Sequence, residues 1–167
     1  PTSKIELEVP YLSQVPDGIW VNPWANACEE ASIVMVEAYY EEKGIIKNEA
    51  KQVMQAMFAW ENENFGKNFD TTAEETGLMI AEHANFETQI KTYPTLDEIK
   101  DQLRKKRPVI AMLDQYILNQ KPRDLNASYH VLVIVGFDDT TQEFIVNDPA
   151  DSARRYPYDR MMNALHD

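Results

Sequence analysis

The order of local signals along the chain predicts an α+β fold with segregated layers. Between residues 26 and 106, four stretches place apolar residues at helical spacing. Between residues 108 and 158, short apolar runs of strand length follow one another. Helices first and strands later oppose a repeated βαβ unit. At 167 residues the chain suits one domain, expected to span 1–167. A chain of this size buries roughly two-thirds of its unfolded surface and needs no staple to fold.

Each element has its own reason. In KIELEVPYLSQV (4–15), Ile5, Leu7 and Val9 alternate with Glu6 and Glu8, a strand pattern stopped by Pro10. Residues 16–25 carry Pro16, Gly18, Pro23 and two exposed-looking aromatics, Trp20 and Trp24, and read as a loop. Asn26 with Glu29 gives a cap-like helix start. That helix runs to Lys43-Gly44, burying Ala31, Val34, Met35 and Ala38, with Tyr39 at the margin. Residues 48–60 predict a second helix with Val53, Met57 and Trp60 on one face, and 61–71 a polar loop. A calcium loop is excluded there, because Phe65 stands where a ligand is required. Thr72 with Glu75 opens a third helix, roughly 72–84, and Thr95 caps a fourth over 95–106 with Leu96, Ile99 and Leu103 inward. PVIAMLD (108–114) reads as a buried strand. HVLVIVGFDD (130–139) and EFIVNDP (143–149) form a hairpin of central-strand composition. RRYPY (154–158) adds an edge strand and RMMNAL (160–165) a short helix.

Composition narrows the function classes. The net charge of −12 opposes nucleic-acid binding and adsorption to an anionic membrane. The acidity is localised: residues 1–90 hold 5 Lys and no Arg against 16 acidic residues, and 91–167 hold 11 basic against 12 acidic. This reads as a solvated helical surface, or as one that prefers cationic partners. No apolar run has the length of a membrane span. The chain begins at Pro1 without Met, which implies that something upstream was removed. The compartment stays open; removal of a signal segment would place the protein in the cell envelope or outside the cell.

Cys28 is the only cysteine. It stands in the first turn of a helix directly after a loop, where unpaired N–H groups and the helix dipole favour a thiolate. Glu29 and Glu30 beside it oppose that thiolate if they face it. Of the three histidines, His83 reads as a surface or packing residue, and His166 is expected to be disordered. His130 leads into the most apolar strand of the chain, a place that can fix a general base. Hairpin pairing brings residues near 130 and 148 to one end, so that Asp148, or Asn147, can reach its imidazole. A helix-start Cys, a strand-start His and a strand-end Asp follow in the order of a cysteine-nucleophile triad. No His-x-x-x-His or paired-Cys spacing suggests a metal, and no cofactor is expected.

Four segments together resemble the papain-like cysteine peptidases related to the double-glycine leader peptidases, the cysteine-peptidase family thirty-nine group. They are EVPYLSQ (8–14), NACEEASIVMVEAYY (26–40), RPVIAMLD (107–114) and SYHVLVIVGFDDTTQEFIVNDPA (128–150). The resemblance implies a papain-like fold in which the nucleophile helix packs on a C-terminal antiparallel sheet. It implies Cys28 as nucleophile, His130 as general base and Asp148 as orienting acid. It also implies Gln14 as an oxyanion-hole side chain beside the Cys28 N–H, a role that nothing else in the sequence signals. The chain departs from the group in two places. Cys28-Glu29-Glu30 stands where many relatives have Cys-Gly-Pro, and thirteen residues separate Gln14 from Cys28, so that a PDGIWVNPWAN loop lines or covers the cleft. No transporter accompanies the sequence, so the double-glycine substrate is not carried over.

The expected activity is peptide-bond hydrolysis through a thioester, with a peptide or protein as substrate. Two alternatives share the frame: a papain-like peptide-binding module without activity, and another amide acyl transfer on the same triad.

Overall fold

The computed structural model describes residues 3–122 and 128–166. Its architecture is α+β, with a helical layer, an antiparallel sheet, and shorter helices on the sheet's far face. The helical layer is α1 (Cys28–Tyr40), α2 (Lys47–Phe65) and α3 (Ala73–His83). The sheet is β1 (Lys4–Glu6), β2 (Val109–Asp114), β3 (Tyr129–Asp138), β4 (Glu143–Asn147) and β5 (Ala153–Pro157). α4 (Leu96–Arg104), α5 (Gln115–Asn119) and α6 (Tyr158–Ala164) complete the chain.

β3 is the central strand. β4 pairs along one edge, while β2 and then β1 share the other, at 129–134 and 136–138. Val133 and Val135 face α1, α2 and α3; Leu132 and Ile134 face the far side with Leu103, Leu118 and Met161. Because both faces are covered, β3 is apolar without alternation, as its composition predicts. A bulge between Ile134 and Gly136 then resets the parity, so that Phe137 joins Ile134 in the far-side core. Gly136 is required there: a Cβ would lie 2.1 Å from the Ile5 carbonyl oxygen and 2.9 Å from Glu6 Cα. Gly136→Ala is expected to push β1 off the sheet and cost about 3 kcal/mol. An unchanged denaturation midpoint would show that β1 adds nothing to stability.

Several boundaries differ from the sequence reading. β1 ends at Glu6, and residues 7–14 continue outside the ladder, apart from Leu7 N–H to Val135 O (2.8 Å). α2 runs to Phe65 rather than 60, through the expected polar loop. Glu61 is wholly buried there, and Gly66, at φ 71°, closes the helix with a bond to Asn62 O. The predicted boxes on α3 and α4 form, with Thr72 accepting from Glu75 N–H and Thr95 from Glu98 N–H. α5 was not anticipated; the Asp114 side chain caps it by accepting from the N–H groups of Tyr116 and Ile117. His166 is ordered rather than disordered. Its N–H donates to Met112 O (2.8 Å), and its ring meets Tyr129 edge-on. His83 packs edge-on against Trp60. Trp20 is exposed as expected, whereas Trp24 sits edge-on against Phe58 at 5.2 Å. Among the described residues no helix is long and apolar enough to cross a membrane.

Candidate active site

α1 begins at Cys28, but not with the predicted cap. Its N-cap is Ala27, without a capping side chain, and Asn26 lies in a 3₁₀ turn, donating to Asn22 Oδ1 at 2.9 Å. The missing partner is Glu29, whose side chain turns inward instead of back to Asn26. α1 packs against both β3 and α2, and every residue from Cys28 to Val36 is buried, well beyond the predicted stripe.

The thiol of Cys28 donates to Glu29 Oε2 at 3.2 Å, and Glu29 Oε1 accepts from Thr71 N–H at 3.1 Å. The sulfur also packs in a cluster with Val131 of β3, one residue after His130. A thiolate was expected at this helix start, but burial opposes it. Burial, followed by the charges of Glu29 and Glu30, pushes the thiol well above its ordinary range. The thiol's side-chain hydrogen bond therefore goes to Glu29 and not to His130.

His130 is the second residue of β3, paired with Leu113 of β2. Its Nε2 donates to Asp148 Oδ1 at 2.7 Å, and both side chains are buried. Nδ1 is left as the second ring nitrogen. Asp148 is held in turn: Oδ1 also accepts from Ala150 N–H (3.0 Å), its N–H donates to Ser152 O, and its carbonyl accepts from Tyr11 Oη–H (2.8 Å). Asn147, the alternative partner, is used elsewhere and donates Nδ2 to Val9 O at 3.0 Å.

Gln14 is buried beside the turn that leads into α1. Its Nε2 donates to Ala25 O (3.0 Å) and more weakly to Trp24 O (3.4 Å), and its N–H donates to Pro149 O (2.9 Å). The fold thus joins His130 to Asp148 directly, sets Cys28 against the next residue of β3, and ties Gln14 to both the Cys28 approach and the Asp148 turn. A groove of about 650 Å³ runs nearby, although none of Gln14, Cys28, His130 and Asp148 lines it. It shares Ala73, Ile110 and Met112 with the cluster that packs Cys28.

Behind the thiol lies a feature that the sequence reading missed. Glu30 and Glu61 are wholly buried, and their four carboxyl oxygens find no donor among the described residues. The two side chains are neighbours, and burial favours the protonated form of each. Burial, then the charges of Glu29 and Glu61, raise Glu30 well above the ordinary carboxyl range; burial also raises Glu61. The folded state therefore keeps a proton that the unfolded chain releases above about pH 4.3. Stability from this pair is present at low pH and lost as pH rises through the folded value, with a slope of about 1.4 kcal/mol per pH unit per proton. The thermal midpoint is expected to fall between pH 5 and pH 8, and Glu61→Gln to flatten the fall. Equal slopes in both proteins would show that the pair is not protonated.

No curated protein matches the chain. A solved structure, of a C39-like peptidase from Bacillus anthracis, superposes with a TM-score of 0.65. It covers 98% of this chain and 92% of that one at 14% identity, a likeness of fold alone. Xylellain, a cysteine protease from Xylella fastidiosa, gives a TM-score of 0.43 at 13% identity, over 99% of this chain and 84% of that one. The sequence profile of the Peptidase_C39 like family matches residues 6–166, and the chain belongs to that family.

Proposed function

We propose that this protein is a cysteine peptidase that hydrolyses peptide bonds through Cys28, His130 and Asp148. The 2.7 Å bond from His130 Nε2 to Asp148 carries this reading, because it leaves Nδ1 as the nitrogen able to serve the thiol. His130 takes the Cys28 proton, and the sulfur attacks the peptide carbonyl carbon. The carbonyl oxygen gains the negative charge. The Cys28 N–H, at a helix start without a capping side chain, supplies one donor, and the Gln14 amide supplies the second once it gives up its bonds to Ala25 O and Trp24 O. The C–N bond breaks, His130 protonates the leaving amine, and an acyl thioester remains on Cys28. Water then gives a proton to His130 and attacks the thioester, releasing the acid and restoring the thiol. Asp148 keeps the imidazole oriented and balances its positive charge. The groove along Ala73, Ile110 and Met112 offers apolar walls to one side of a substrate chain.

The bond from Cys28 to Glu29 favours a second reading, a peptide-binding module whose thiol stays protonated. A peptidyl aldehyde separates the two. An active thiol adds to the aldehyde carbon as a hemithioacetal, which NMR of an aldehyde labelled with carbon-13 at that carbon reports, and which Cys28→Ala abolishes. Peptide binding without any adduct would leave the binding module as the reading.

A further inference from the structure

Glu29 is wholly buried one residue after the nucleophile, and its oxygens are divided between two partners. Oε2 lies 3.2 Å from Cys28 Sγ, and Oε1 accepts from Thr71 N–H. Thr71 is fixed in its turn: its hydroxyl pairs with that of Thr76 at 2.8 Å, and its carbonyl accepts from Tyr129 Oη–H at 2.6 Å. Tyr129 precedes His130 on β3. The chain Cys28–Glu29–Thr71–Tyr129 therefore ties the thiol to the strand that carries the base, by a route separate from Asp148. An isolated buried carboxylate would carry a heavy desolvation cost, so these two hydrogen bonds are what hold Glu29 inside.

We propose that Glu29 is a positioning residue for Cys28: in the resting protein its carboxylate holds the thiol proton and fixes the sulfur, so that His130 receives the proton only when this bond yields. The groups facing Glu29 support that role. Cys28 and Glu30 lie beside it on α1, with Glu61 of α2 behind Glu30. The loop before α3 contributes Asp70 and the Thr71 N–H, and Lys67 acts on Asp70 and Glu61. β3 contributes Val131, packed against the sulfur, with His130 one residue away. Glu29, Glu30 and Asp70 are all acidic, so the charge around the sulfur favours the neutral thiol. Burial pushes the Glu29 carboxyl up to about 7. Once protonated, it loses the charge that opposes a thiolate and gains an O–H that can donate to sulfur. The neutral form of this one side chain thus favours the thiolate–imidazolium pair, and the ionised form opposes it.

The inference deepens the peptidase reading and rests on it for its catalytic meaning, but its test needs no turnover. Cys28 is the only cysteine, so the pH profile of iodoacetamide alkylation reports this thiol alone. Glu29→Gln keeps an oxygen for Thr71 N–H and presents an uncharged N–H to sulfur. The alkylation midpoint is expected to fall by about one pH unit or more, which makes alkylation near neutral pH about tenfold faster. A midpoint that stays or rises in the folded variant overturns the proposal. If the variant does not fold, the infrared S–H band of the wild type at pH 8, assigned by its loss in Cys28→Ala, decides. A band below the frequency of a free thiol supports the bond to Glu29, and a band at that frequency overturns it. These outcomes are independent of peptide cleavage, so this inference and the peptidase reading can fail separately.

Discussion

Cys28→Ala is expected to lower peptide hydrolysis by on the order of 10⁵-fold or more, the scale seen when a covalent nucleophile is removed from a working triad. The substitution removes one sulfur from a buried cluster with Met112 and Val131, a small change in volume. It also leaves Glu29 Oε2 without its donor, so the fold should survive at a cost of about 1–3 kcal/mol. Activity and stability are thus separable in this variant: hydrolysis and thiol alkylation vanish, while the thermal midpoint falls by only several degrees. Cys28→Ser sharpens the test, because a hydroxyl fills nearly the same space but is a far poorer nucleophile without a stronger base. Hydrolysis at the wild-type rate in a folded Cys28→Ala protein would end the peptidase reading as written.

The second large effect belongs to Asp148. Asp148→Ala removes the acceptor from His130 Nε2 and from Ala150 N–H together, so that the imidazole loses both its tautomer and its aim. A loss in kcat on the order of 10²–10⁴-fold is expected, with KM little changed. Asp148→Asn is predicted to be milder, within about tenfold of the wild type. Its amide oxygen can still accept from both partners, and Ala150 N–H selects the oxygen over the nitrogen. The pair of variants therefore separates orientation from charge. Asn as damaging as Ala would mean that the negative charge itself is required, and wild-type turnover in Asp148→Ala would remove Asp148 from the mechanism.

Much of this architecture is legible in the sequence because local rules and tertiary demands agree. Thr72 and Thr95 cap their helices as their boxes predict, since both lie at exposed helix starts where nothing competes for the side chains. The run 131–135 announces a strand covered on both faces, and its hairpin partner brings Asp148 to His130 as the spacing predicts. The sequence reading failed where a polar residue goes inward. Glu29 fits a cap with Asn26, Glu61 fits a loop, and Glu30 fits a wet surface; all three are buried around the thiol. Capping rules treat Glu as a solvated group, and no local pattern shows that two carboxyls on two helices will be buried as neighbours. Gln14 was found only through family resemblance, because a single Gln after an irregular stretch has no periodicity to betray it. The acidity of the first half was read as a property of the surface. Part of it is instead held in the interior, beside the one thiol.

The stitching of residues 9–14 to residues 147–149 also sets an order of events. Val9 accepts from Asn147, Tyr11 donates to the Asp148 carbonyl, and Gln14 donates to Pro149, each across more than 130 positions of chain. Contacts this distant close late, because the entropy of a long loop must be met before they form. On a ribosome, residues 9–14 wait for residues 147–149 to emerge. A nascent protein with α1 already made still lacks the clasp around Asp148, which on the proposed mechanism orients the imidazole. Competence to cut would therefore arrive with the completed fold, and half-made copies would be harmless to their neighbours.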